Sequence, residues 1–136
     1  MIVRVDALGL LLEARRALVA EVLGGFFGQA ALGRWWLPCA VLTDGEAPGD
    51  AAGRAVKEQV GLDLEDAVVV GARPQQVGAD WHLALVVAGA LGGEPDPRPP
   101  VSGYSLRTLA ELPDHVGLWQ RDDLAVLAAR YERLRG

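Results

Sequence analysis

A chain of 136 residues is long enough for one domain, residues 1–136, with a real hydrophobic core, and too short for two. Its formal net charge of -5 and the lack of any basic run exclude a nucleic-acid groove as the main business of the surface, which leaves small molecules and proteins as partners. Cys39 is the only cysteine, so an intramolecular disulfide is excluded and a reduced cytoplasm fits the chain best.

The first twelve residues are apolar but carry Arg4 and Asp6, and Glu13-Ala14-Arg15-Arg16 stops the run well short of the roughly 18 residues that a membrane span needs. No basic start and cleavage site mark it as a leader. It reads as a strand: Val3, Val5 and Ala7 alternate with Arg4 and Asp6, as at an edge-like end, and Leu8 to Leu12 are continuously apolar, as in a covered sheet. After a polar turn, Ala17 to Leu23 returns as its hairpin partner. Gly24 to Gly33 is a glycine-rich connection holding Phe26 and Phe27, whose rings pack on the domain or meet a ligand or second subunit. An apolar fraction of 51% points the same way, toward a homodimer interface, although a coding bias toward alanine and glycine accounts for it equally.

Trp35 to Leu42 is a third extended segment, followed by a loop punctuated by Gly45, Pro48 and Gly49. A helix is predicted over Asp50–Val60, capped by Asp50 and stopped by Gly61, with Ala52, Val56 and Val60 as its apolar stripe and Arg54, Lys57 and Glu58 facing out. Ala67 to Ala72 and Trp81 to Leu91 are strands, with a turn around Gly78. The segment 92–100, with its four prolines, is irregular, Tyr104 to Leu106 is a short edge strand, and Thr108 to Pro113 is one helical turn. Asp122 to Leu134 is an amphipathic helix, with Leu124, Leu127, Ala128, Tyr131 and Leu134 at helical spacing. Strands, helix, strands, helix predict an α/β sandwich with a mixed sheet between helices.

Ala40, Glu46, Arg54 and Gly61-Leu62 keep a fixed set of intervals: five residues, seven residues, then a closing glycine and an apolar residue. This stretch resembles the Nudix box, which reads glycine, five residues, glutamate, seven residues, arginine-glutamate-apolar-any-glutamate-glutamate-any-glycine-apolar. The resemblance extends to the N-terminal hairpin, Leu37-Pro38, the Trp81-His82 strand and the Leu109 to Pro113 turn, so it implies a Nudix-like α/β/α sandwich with a mixed central sheet. It also implies cleavage of a nucleoside diphosphate linked to another group, with magnesium or manganese neutralising the phosphates.

Three positions depart from the box: Ala40 stands at the glycine, Ala55 at the glutamate after the arginine, and Gln59 at the last glutamate. Residues 55, 58 and 59 share one helical face, so the resemblance leaves Glu58 as the one helix carboxylate for metal. By the same resemblance the carbonyl of Ala40 touches metal, Arg54 orients the box and Glu46 is its loop partner. Glu94, or Asp96, in the proline-rich loop would supply an outlying acid for the cation. One carboxylate and one amide grip a hard cation weakly, so any bound magnesium or manganese is expected to be weak. Arg54 and Lys57 then offer positive charge to a nucleotide-like anion directly.

Each residue also has a plainer reading. Arg54 and Glu58 make an ordinary i, i+4 pair, Arg54 and Glu46 fasten the loop to the helix, Cys39 is a small buried hydrophobe, His82 is a strand residue with one satisfied nitrogen, and His115 is solvated. The expectations are thus a binding module for a nucleoside diphosphate-type ligand with weak or lost hydrolysis, or an active but divergent hydrolase.

Overall fold

In the computed structural model, residues 1–22 and 35–135 are described, so the glycine-rich connection with Phe26 and Phe27 lies outside them. Among the described residues, β1 (Ile2–Leu11) and β6 (Asp80–Gly92) run parallel side by side at the centre of a seven-stranded sheet, and every other pairing in it is antiparallel. β5 (Asp63–Val77) flanks β6, β2 (Arg16–Glu21) flanks the end of β1, and β7 (Gly103–Thr108) pairs along the whole of β2. The sheet is therefore mixed, as the element order predicts.

α1 (Pro48–Val60) and α2 (Arg121–Arg135) cover opposite faces. Alternation along β1 explains how: Val5 and Ala7 pack in a cluster with Ala52, Val56 and Val60 of α1, whereas Leu8 and Leu10 pack with Leu124, Leu127 and Tyr131 of α2. No helix among the described residues is long and apolar enough to cross a membrane.

The expected strand over 35–42 is two strands. β3 (Trp35–Trp36) pairs with β2, and β4 (Cys39–Val41) pairs with β1. Leu37-Pro38 lies between them, and Pro38 has no N–H to continue a ladder, so the chain changes partner there. β5 is longer than expected and reaches from Asp63 to Val77 because two irregularities, between Glu65 and Val68 and between Val69 and Gly71, let it bend without leaving β6. Asp66 takes a left-handed φ of 53° at the first of them. A small hairpin, β8 (His115–Val116) and β9 (Trp119–Gln120), precedes α2 and carries no periodicity that a sequence reading could detect.

The alternation of Arg4 and Asp6 does not mark an edge. Both side chains are buried on the α2 face. Arg4 donates from Nε and Nη2 to the Asp6 carboxylate, each at 2.8 Å, and its Nη2 also donates to Gln75 Oε1. Trp119 Nε1 donates to Asp6 Oδ2 at 2.7 Å, and Arg4 Nη1 lies 3.3 Å from His82 Nδ1. His82 is thus a strand residue with a partnered nitrogen; burial first, and Arg4 second, hold its pKa below the ordinary value. His115, expected in solvent, is half-buried in β8.

Candidate functional site

α1 begins two residues earlier than its sequence signals suggest. Pro48 occupies the first turn, where its missing N–H costs nothing, and Ala47 at the cap makes no side-chain bond. Asp50 lies inside the first turn, where its charge complements the helix dipole without capping it. Gly61 ends the helix at φ 82°, donating to the carbonyls of Lys57 and Val56. That conformation, and the backbone of Asp96 within 3.0 Å of where a Cβ would stand, both require glycine.

Arg54 and Glu46 come together as expected. Arg54 Nε and Nη2 donate to the two carboxylate oxygens of Glu46 at 3.1 and 3.0 Å, and Nη2 also reaches the carbonyl of Val41 at 3.2 Å. Glu46 in turn accepts from the N–H and hydroxyl of Thr43. One guanidinium therefore ties the loop, β4 and α1 into a rigid bracket. The Arg54 bond is the main reason that the Glu46 carboxyl is held down from 4.5 to about 2.

A depressed folded value means that this bond stabilises the fold fully above pH 4.5 and ceases to do so as pH falls through about 2. Arg54→Gln is accordingly expected to return Glu46 toward 4.5, read from its side-chain carbon resonance across a pH titration. An unchanged titration would mean that Arg54 does not hold the carboxylate.

The face expected to gather a cation is differently employed. Ala55 is fully buried against the domain, Glu58 is exposed one turn beyond Arg54, and Gln59 is half-buried between α1 and β4. Gln59 Nε2 donates to the carbonyl of Cys39 at 2.7 Å, and its Oε1 accepts the Cys39 N–H at 3.3 Å. The main chain explains why Cys39 is the residue presented. Leu42 N–H donates to Val3 and Ala7 N–H to Pro38, so even-numbered residues of this segment, Ala40 included, turn their polar groups toward β1. Cys39 turns its own toward the open edge and α1. The backbone oxygen that meets the helix is that of Cys39, and the carbonyl of Ala40 falls on the ladder side.

The other expected site residues lie at the C-terminal end of α1. Lys57 Nζ donates to Asp63 Oδ1 at 3.2 Å across the surface. The segment after β6 folds back on the helix end: Asp96 N–H donates to the carbonyl of Val60 at 2.5 Å, and Arg98 N–H to that of Gln59 at 3.0 Å. The Asp96 side chain pairs with Arg98, and the exposed Glu94 lines, with Leu62, Leu91, Tyr104 and Leu106, a cleft of about 400 Å³. Among the described residues no three acidic, histidine or cysteine side chains converge as metal ligands. With Gln59 and Cys39 bonded to each other, the donors present do not fit a divalent cation. The thiol of Cys39 is buried, and burial, reinforced by Asp6, raises its pKa well above the ordinary value, as for an inert core cysteine.

No family model and no curated protein matches the sequence. Solved structures match it in shape. A MutT Nudix hydrolase from Burkholderia pseudomallei is 22% identical, with 90% of this chain and 96% of that one aligned at a TM-score of 0.70. A MutT protein from Methanosarcina mazei Go1 is 16% identical, with 96% and 95% aligned at 0.76. The Nudix domain of Shewanella oneidensis NrtR, solved in complex with ADP-ribose, is 14% identical, with 98% and 88% aligned at 0.70. The chain has the Nudix fold.

Proposed function

We propose that the protein binds a nucleoside diphosphate-type ligand beside α1 and hydrolyses it weakly or not at all. The carrying observation is the contrast along one helix: the Arg54–Glu46 bracket that shapes the box is intact, whereas the carboxylate face is reduced to Glu58, with Ala55 buried and Gln59 engaged on Cys39. Hydrolysis at a diphosphate relies on cations that clamp the transferring phosphorus and prepare a water, and one exposed carboxylate supplies little of that. The cleft supports a ligand. Its volume lies within the size range of small-molecule sites, its walls are mostly apolar, and Glu94 and the Tyr104 hydroxyl are polar groups able to bond a base edge. The ADP-ribose held by the Nudix domain of NrtR is a ligand of this chemical class on the same fold. A reduced, cytoplasmic setting suits the buried free thiol.

The active alternative would need Glu94 to join Glu58 around magnesium or manganese; what speaks for it is that the segment following Glu94 docks on the end of α1 through Asp96 and Arg98. Thermal-shift screening of nucleoside diphosphate sugars, dinucleotides and nucleoside triphosphates, with and without a chelator, separates the two readings. A stabilising ligand indifferent to the chelator is the expected result, with phosphate release absent or slow and faster in manganese. Ligands that stabilise only with added metal, with magnesium-dependent turnover on the order of 1 per second, would establish the hydrolase instead.

A further inference from the structure

We infer that the side-chain amide of Gln59 fills the place of a bridging cation between α1 and β4, so that this junction closes without metal. It concerns the same helix as the proposed function but does not need that ligand.

A β-strand edge such as that of Cys39 presents an N–H and a C=O side by side, and a helix has no main-chain groups free to meet them. A primary amide does: the Nε2–H of Gln59 meets the carbonyl and its Oε1 meets the N–H, so the side chain completes the edge as a neighbouring strand would. A carboxylate of the same length brings oxygen to oxygen at the 2.7 Å contact, which repels unless a cation or a proton stands between them. The neutral amide removes that requirement. Gln59 also accepts the Arg98 N–H on its main-chain carbonyl, so one residue ties β4, α1 and the segment after β6 together.

The test is Gln59→Glu, with Gln59→Leu as a variant of similar size that offers neither donor nor acceptor, melted in a chelator and in manganese without any nucleotide. The parent is expected to melt at the same temperature in both. Gln59→Glu should melt about 5 °C lower or more in the chelator, and manganese should recover most of that loss. Gln59→Leu should be lowered in both conditions alike. If Gln59→Glu is unfolded in the chelator, far-ultraviolet dichroism during manganese addition reads the same recovery as refolding. A parent stabilised by manganese, a Gln59→Glu variant as stable as the parent in the chelator, or a loss that manganese fails to recover would each overturn the inference. A nucleotide screen without hits would sink the proposed ligand and leave this result untouched.

Discussion

Asp6→Ala is expected to cost about 3–5 kcal/mol of stability, the range for breaking a buried ion pair from one side. The carboxylate is nearly sealed from solvent and accepts three bonds, two from Arg4 and one from Trp119. Its removal leaves a fully buried guanidinium with Gln75 Oε1 and the His82 ring as its named neighbours, and strips the partner from the Trp119 N–H. Because Trp119 belongs to β9, the loss should loosen the hairpin that leads into α2. Urea unfolding gives the magnitude. The companion Arg4→Met/Asp6→Leu should recover much of the loss, since an apolar pair of similar volume needs no desolvation of charge. A single variant within about 1 kcal/mol of the parent, no more than an exposed pair contributes, would show that the cluster is not sealed.

Ala55→Glu carries the second large effect, and it bears on the site. The box positions a carboxylate here, yet this alanine is fully buried, and among the described residues no cluster of side chains gathers as cation ligands. A glutamate must either bury its charge or push the helix outward, at a cost of about 3 kcal/mol or more. Ala55→Gln, of nearly equal volume, isolates the charge. An acid whose folded pKa is raised loses stability as pH rises through its unfolded value of about 4.3, so the gap between the glutamate and glutamine variants should open above that pH and close below it. Equal melting of the two across that range would assign the whole cost to volume. Restoring the box at this position is therefore expected to damage the protein before it repairs any chemistry.

How much of this was legible in the sequence follows from how local each feature is. The helix over 50–60, though not its start at Pro48, and the Arg54–Glu46 bracket were readable, because apolar spacing, a closing glycine and two opposite charges on neighbouring elements all lie within twenty residues. The clasp of Gln59 on Cys39 was not. It depends on β4 turning a free edge toward α1, which follows from the change of partner at Pro38 and from no property of Gln59 itself. Alternation showed that Arg4 and Asp6 share a face but not that the face is roofed, since the roof is Trp119, more than a hundred residues away. A positive and a negative charge two residues apart in an otherwise apolar strand were the available signal. The two-residue arms of β8 and β9 are too short for any period to register.

β5 has a consequence for how copies of the protein meet one another in concentrated solution. It pairs with β6 alone among the described strands, so its fifteen residues present a long outer rim on the side away from β6. Two interruptions of register and Pro74 break that rim into short lengths, and the Arg73–Asp123 ion pair stands along it. A growing sheet needs an unbroken row of donors and acceptors in a flat line. The irregularities that let β5 bend around its own domain thereby deny a template for aggregation by edge addition, and they direct any subunit association to other faces.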